Sequence, residues 1–159
     1  MKTAAASLLR PDPLGCGSDE LLVGRAGLLL GCCWLEQQGL PLLSRPELWR
    51  LCDVTVGSGR QHSARTRSQF RLMYQYHGTE YLGAAHGLAG ILQSLLSVPG
   101  YTQHNPAAGE EIRATLDTLL STQTQSGNFP CATDELPPHS RESSQGPSVI
   151  LMVMGALMA

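Results

Sequence analysis

The stretch "YLGAAHGLAG" (81–90) places one imidazole, His86, among glycines, alanines and leucines. Histidine gives and takes protons near neutral pH, so an exposed His86 can serve as a general acid or base. The plainer alternative is a helix-start histidine bonded to a backbone carbonyl. Tyr76 and Tyr81 flank the start of the same apolar run, either at a cavity mouth or as packing. Cys131 and His139 are metal-ligand types eight positions apart. Zinc needs three or four such groups converging at about 2.0–2.3 Å, and no third lies near them in sequence, so no metal is expected on this chain. Cys32 and Cys33 are adjacent, and on a helix their side chains diverge by about 100°, so they are read as small buried apolar residues. Arg60, Arg65, Arg67 and Arg71 suit a phosphate; the default for such a stretch is a solvated loop.

The glycines need a reason, since each costs about 1 kcal/mol against alanine inside a helix. "GRAGLLLGCC", beginning at Gly24, and "HGLAGILQSL", whose first glycine is Gly87, share G-x-A-G-[LI]-L. Gly24 and Gly87 lie 63 residues apart (87 − 24), room for an inner helix, an outer helix and their loops, which predicts stacked α-hairpins. Gly87 and Gly90 share a helix face and let a neighbouring helix or ligand approach the backbone.

Around these glycines the pattern predicts a helix over 19–38, with Ser18 as N-cap, Asp19 and Glu20 at the positive end of its dipole and Gly39 as its stop. Ser44 and Glu47 have capping-box spacing for a short helix near 45–53, and 57–71 is expected to be an exposed loop. A second apolar helix is predicted over 80–98, ended by Pro99 and Gly100. Asn105 and Pro106 start an amphipathic helix carrying Ile112, Leu116, Leu119 and Leu120, and 126–148 has a linker's composition.

With 159 residues, 42% of them hydrophobic, the chain can bury a core. A formal charge of −2 removes any general electrostatic case for nucleic acid. Five cysteines without a CxxC pair fit a reducing compartment better than a disulfide framework. The N-terminal apolar stretch is too short for a signal peptide, and the longest apolar runs fall short of the roughly 20 residues of a membrane span. A cytoplasmic location is expected, with peripheral attachment to the plasma membrane left open.

"LMYQYHGTEYLGAAHGLAGIL" (72–92) resembles the lanthionine synthetase C-like (LanC-like) family, and 21–135 as a whole looks like its members. "LLVGRAGLLLGCCWL", "LLSRPELWRLC" and "SGNFPC" look most like the third vertebrate paralogue. The resemblance implies an all-α fold, a toroid of six or seven α-hairpins whose inner helices begin with glycine motifs around a cavity. It implies His86 as the acid/base histidine, with Gly24, Gly27, Tyr81, Gly87 and Gly90 lining the cavity. It also implies zinc held by two cysteines and a histidine, and glutathione as the thiol added to dehydrated serine or threonine in peptides.

Those ligands lie in a Trp-Cys-His-Gly motif and a later Cys-His-Gly, whereas this sequence continues "LPPHSRESSQGPS". On that basis 1–17 is an N-terminal segment, 18–135 the N-terminal part of the toroid, and 136–159 a divergent, disordered tail such as alternative splicing or a gene-model error leaves. A chain without the zinc ligands is expected to be inactive. The alternatives are a non-catalytic module that meets a protein partner through exposed apolar helix faces, or a product with no function. Lys2 stands where a myristoylation signal has glycine, which disfavours a lipid anchor.

Overall fold

In the computed structural model, which describes residues 18–136, the architecture is helical. The order is α1 (Arg25–Gln37), α2 (Arg45–Thr66), α3 (Leu88–Ser97), the single turn α4 (Tyr101–His104), α5 (Pro106–Ser121) and a 3-10 turn, Thr133–Glu135. Extended pairing among the described residues is confined to two isolated bridges, Tyr76 with Thr79 and Tyr81 with Ala132. Helix α1 packs on α3 and α2, and α5 packs on α4 and α3, so two hairpins lie side by side through α1 and α3. The segments assigned to 1–17 and to the tail beyond 136, including His139, lie outside the described residues.

Both inner helices start later than their apolar runs suggest, for one shared reason. Residues 18–24 fold back as turns on the first turn of α1, where the Arg25 and Ala26 amides donate to the Ser18 and Asp19 carbonyls at 2.9 and 3.3 Å. Residues 81–87 do the same for α3: Leu88 N–H reaches Tyr81 O at 2.9 Å and Ala89 N–H reaches Leu82 O at 3.1 Å. Gly24 and Gly87 are the two N-caps, with φ, ψ of −110°, −167° and −125°, −169°. Orphan amide donors of each helix are thus satisfied by the chain's own carbonyls rather than by a side-chain cap. The predicted helices 19–38 and 80–98 are corrected to 25–37 and 88–97.

Helix α2 corrects two expectations at once. It runs on to Thr66, so most of the expected loop 57–71 is helical. Its start is the anticipated capping box, with Pro46 in the first turn. What hid its second half is the chemistry of its inner stripe, in which Thr55, Val56, Gly59, His62 and Ser63 are buried and only one is a large hydrophobe. Their polar atoms are satisfied locally: Thr55 Oγ1 donates to Leu51 O at 3.0 Å and Ser63 Oγ to Phe70 O at 2.5 Å. Gly59 leaves room for the Tyr74 ring, which a methyl there would overlap. Arg60 is also committed, its guanidinium gripping both Glu111 oxygens on α5 at 2.6 and 2.7 Å.

Helix α5 begins at Pro106 with Asn105 capping Ala108 N–H at 3.1 Å, as its sequence predicts, and buries Ile112 and Leu119. Residues 128–136, expected as linker, are instead docked. Phe129, Ala132 and Leu136 are buried, Leu82 N–H donates to Cys131 O at 2.8 Å, and Thr133 N–H donates to Glu80 O at 3.1 Å.

Candidate functional site

The doubled-back turns of α1 and α3 bring their tips together. His86, the last residue before Gly87, sets its Nδ1 3.0 Å from Oε2 of Glu20, which belongs to the other turn. Glu20 is 2% exposed and its Oε1 also accepts the Val23 N–H; the His86 side chain is 36% exposed. The imidazole stacks on Tyr76, with centroids 4.5 Å apart and planes within 2°, and Tyr81 stands tilted at 6.1 Å. A buried carboxylate, a ring held flat and one open side make a candidate proton-transfer pair. With Glu20 as carboxylate, His86 donates from Nδ1 and keeps a lone pair on Nε2, the tautomer a general base needs.

Beneath Glu20 lies a second buried acid. Arg25, fully buried, donates from Nη1 to Asp19 Oδ1 at 2.5 Å, and Ser58 of α2 donates to Asp19 Oδ2 at 2.6 Å. Tyr74 donates to Thr55 O at 3.1 Å, and burial, then the charge of Asp19, holds its phenol well above the ordinary tyrosine range. Beside the pair, Glu80 Oε1 meets His62 Nε2 at 2.8 Å, while Glu80 Oε2 accepts the Thr133 hydroxyl at 3.1 Å. That clasp ties α2 to the segment leading into Tyr81 and to the docked 128–136 stretch.

The glycines singled out in the sequence serve these turns directly. A methyl on Gly27 would overlap the Leu21 carbonyl, and one on Gly90 the Ala84 carbonyl. One on Gly24 would meet Glu20, and one on Gly87 the Tyr81 carbonyl. The close neighbour is therefore the chain's own turn, where a separate helix or ligand was expected.

In the sequence Glu20 reads only as an acid at a helix N-terminus; its partnership with His86 arises where the two turns meet, 66 positions apart in the chain. The repeat gives no pointer to that contact, for the offset that aligns Gly24 with Gly87 puts Glu20 at the position of Gly83 and Val23 at that of His86, so the pair has no counterpart in the repeat. The His62–Glu80 clasp had no local signal, being 18 residues apart on elements whose docking is tertiary.

No group of three or more His, Cys, Asp or Glu among the described residues could hold a metal ion. Zinc therefore does not fit within them. Cys131 is exposed and its N–H donates to Glu135 Oε2 at 2.9 Å. Cys32, Cys33 and Cys52 are buried free thiols, and burial pushes all three up and away from thiolate character.

The model of the family described as "Lanthionine synthetase C-like protein" matches residues 3–146. The chain is 33% identical over 144 residues to Danio rerio "Glutathione S-transferase LANCL1", covering 87% of this chain and 35% of that protein. It is 34% identical over 128 residues to Arabidopsis thaliana "LanC-like protein GCL1", covering 77% of this chain and 28% of that one. The chain thus spans about a third of the length of the relatives it matches. A glycine-notched pair of hairpins and a match over most of its length make this chain a member of the lanthionine synthetase C-like family.

Proposed function

We propose that residues 18–136 form the N-terminal hairpins of a LanC-like α/α toroid and contribute the proton-transfer half of a thiol-addition site. The single observation behind this is the Glu20–His86 contact across the two turns, on a ring left partly open to solvent. The Danio rerio relative is named a glutathione S-transferase, which supports glutathione as the thiol class. The acceptor would be a dehydrated serine or threonine in a peptide. The thiol S–H would give its proton to His86 Nε2, the sulfur would bond to the β-carbon as the C=C bond opens to an enolate, and the imidazolium, held by Glu20, would return that proton to the α-carbon. Gly24, Gly27, Tyr81, Gly87 and Gly90 would wall the approach to that ring. In the family, zinc lowers the thiol pKa. The described residues do not supply its ligands, so the chain by itself is proposed to be inactive in this addition.

The chain incubated with zinc, glutathione and a dehydroalanine peptide should give no more adduct by mass spectrometry than a protein-free control. An adduct that vanishes in His86→Ala would refute inactivity and support the site. One unaffected by that substitution would refute the assignment of His86.

A second reading is favoured by the apolar side chains left uncovered on and around α1: Leu22, Val23, Trp34, Leu40 and Leu42 are each more than half exposed. Large exposed apolar residues mark interfaces or aggregation liabilities. We propose that, without catalysis, the chain meets a protein partner through these exposed side chains. A monodisperse peak with a cooperative melt supports the module; a broad melt with aggregates supports a product without function. A cytoplasmic location agrees with the four free cysteines among the described residues. No helix among them is long and apolar enough to cross a membrane.

A further inference from the structure

The two doubled-back turns are built alike, yet they fill the same two positions with opposite chemistry. Through the repeat, Asp19 corresponds to Leu82 and Arg25 to Leu88, and the matching amide–carbonyl bonds confirm the register: Ala26 to Asp19 beside Ala89 to Leu82, and Arg25 to Ser18 beside Leu88 to Tyr81. Leu82 and Leu88 are fully buried, as is Arg25, and Asp19 is nearly so. This turn can therefore close over two leucines. A buried ion pair is a weak source of stability, since the desolvation of both charges offsets much of their attraction, and apolar replacements of similar volume are often neutral or stabilising. Its presence in the first turn alone asks for a reason other than folding.

The reason lies one residue along. Asp19 has both carboxylate oxygens engaged, one by Arg25 on α1 and the other by Ser58 on α2, which pins the backbone from which Glu20 projects. The second turn has no acid to aim, because the counterpart of Glu20 there is Gly83. Arg25 engages the neighbouring carboxylate of Asp19, while Glu20 Oε2 meets His86 Nδ1. We infer that Asp19, Arg25 and Ser58 are positioning residues that hold Glu20 against His86, and that the fold itself does not require their charges. The inference rests on the proposed role of the Glu20–His86 pair.

The test is the tautomer of His86, read from its ring nitrogen shifts in 15N-edited NMR. Wild-type protein should show mainly the Nδ1–H form that donates to Glu20; an unconstrained neutral imidazole prefers Nε2–H. The double variant Asp19→Leu/Arg25→Leu, which copies the second turn, should melt cooperatively within about 5 °C of wild type. Its His86 should move toward Nε2–H, as in Glu20→Gln. Ser58→Ala should move it the same way but less, and Arg25→Lys, which keeps the ion pair, should leave it near wild type. A folded double variant with the wild-type tautomer overturns the inference. So does a double variant that fails to fold, because the charges would then belong to the fold. If Glu20→Gln leaves the His86 spectrum unchanged, the Glu20–His86 reading itself is at fault, an outcome distinct from the other two.

Discussion

At the scale of single residues, the glycines divide by what surrounds the missing side chain. Gly90 sits in α3 with the Ala84 carbonyl where a methyl would go, whereas Gly31 in α1 has nothing within 4 Å. Gly90→Ala should therefore destabilise by about 1–3 kcal/mol, as overpacking does. Gly31→Ala should stabilise by about 0.5–1 kcal/mol through helix propensity alone. Urea melts of the two variants check the contrast, and equal effects would refute the packing account. Arg25→Leu alone differs from the double variant because it leaves the Asp19 carboxylate buried without this cation. A loss of about 3–5 kcal/mol is expected, again read by urea unfolding.

At the scale of elements, α2 is stapled at its start and its end by different chemistry. Ser44 N–H and Oγ–H both donate to Glu47 Oε2, at 2.8 and 2.6 Å. These bonds from Ser44 hold the Glu47 carboxyl below its ordinary value. A depressed folded value means the cap contributes stability above the unfolded value near 4.5, and loses it as pH falls through the lower folded one. The urea midpoint should accordingly fall on acidification below about pH 4.5, and Glu47→Gln should flatten that part of the profile. The N-terminal cap was legible because its signal is four residues long. The helix's reach to Thr66 was not, because Gly59, His62 and Ser63 are buried by what folds back on them after the helix ends, Tyr74, Glu80 and the Phe70 carbonyl.

For the whole molecule, the groups with strongly raised values are acids held neutral in the core. Cys52 and Tyr101 are pushed up by burial, and Tyr101 also by its bond to Asp53, while Tyr74 is raised by burial and then by Asp19. An acid whose folded value is raised binds more protons folded than unfolded once pH passes the unfolded value, so stability falls with rising pH from there. Thermal unfolding should show a progressive loss of stability starting at about pH 8.5 and steepening near 10, the ordinary cysteine and tyrosine ranges. A flat profile between pH 8 and 11 would contradict the buried setting of these groups. The uncovered apolar side chains on and around α1 set a second expectation at this scale: Trp34→Lys should reduce self-association in sedimentation experiments without lowering the melting temperature, because Trp34 is 61% exposed.

The amino-acid order alone was enough for the helical class and for the repeat that aligns Gly24 with Gly87. Each rests on local pattern: periodicity, caps, and residue types that only a close approach explains. Tertiary structure decided where α1 and α3 begin and that 128–136 belongs to the packed body. It also made Glu20, 66 positions from His86, the partner of the ring. Those outcomes depend on which carbonyls and carboxylates meet across the two hairpins, and such meetings leave no trace in any window short enough to carry a periodic signal.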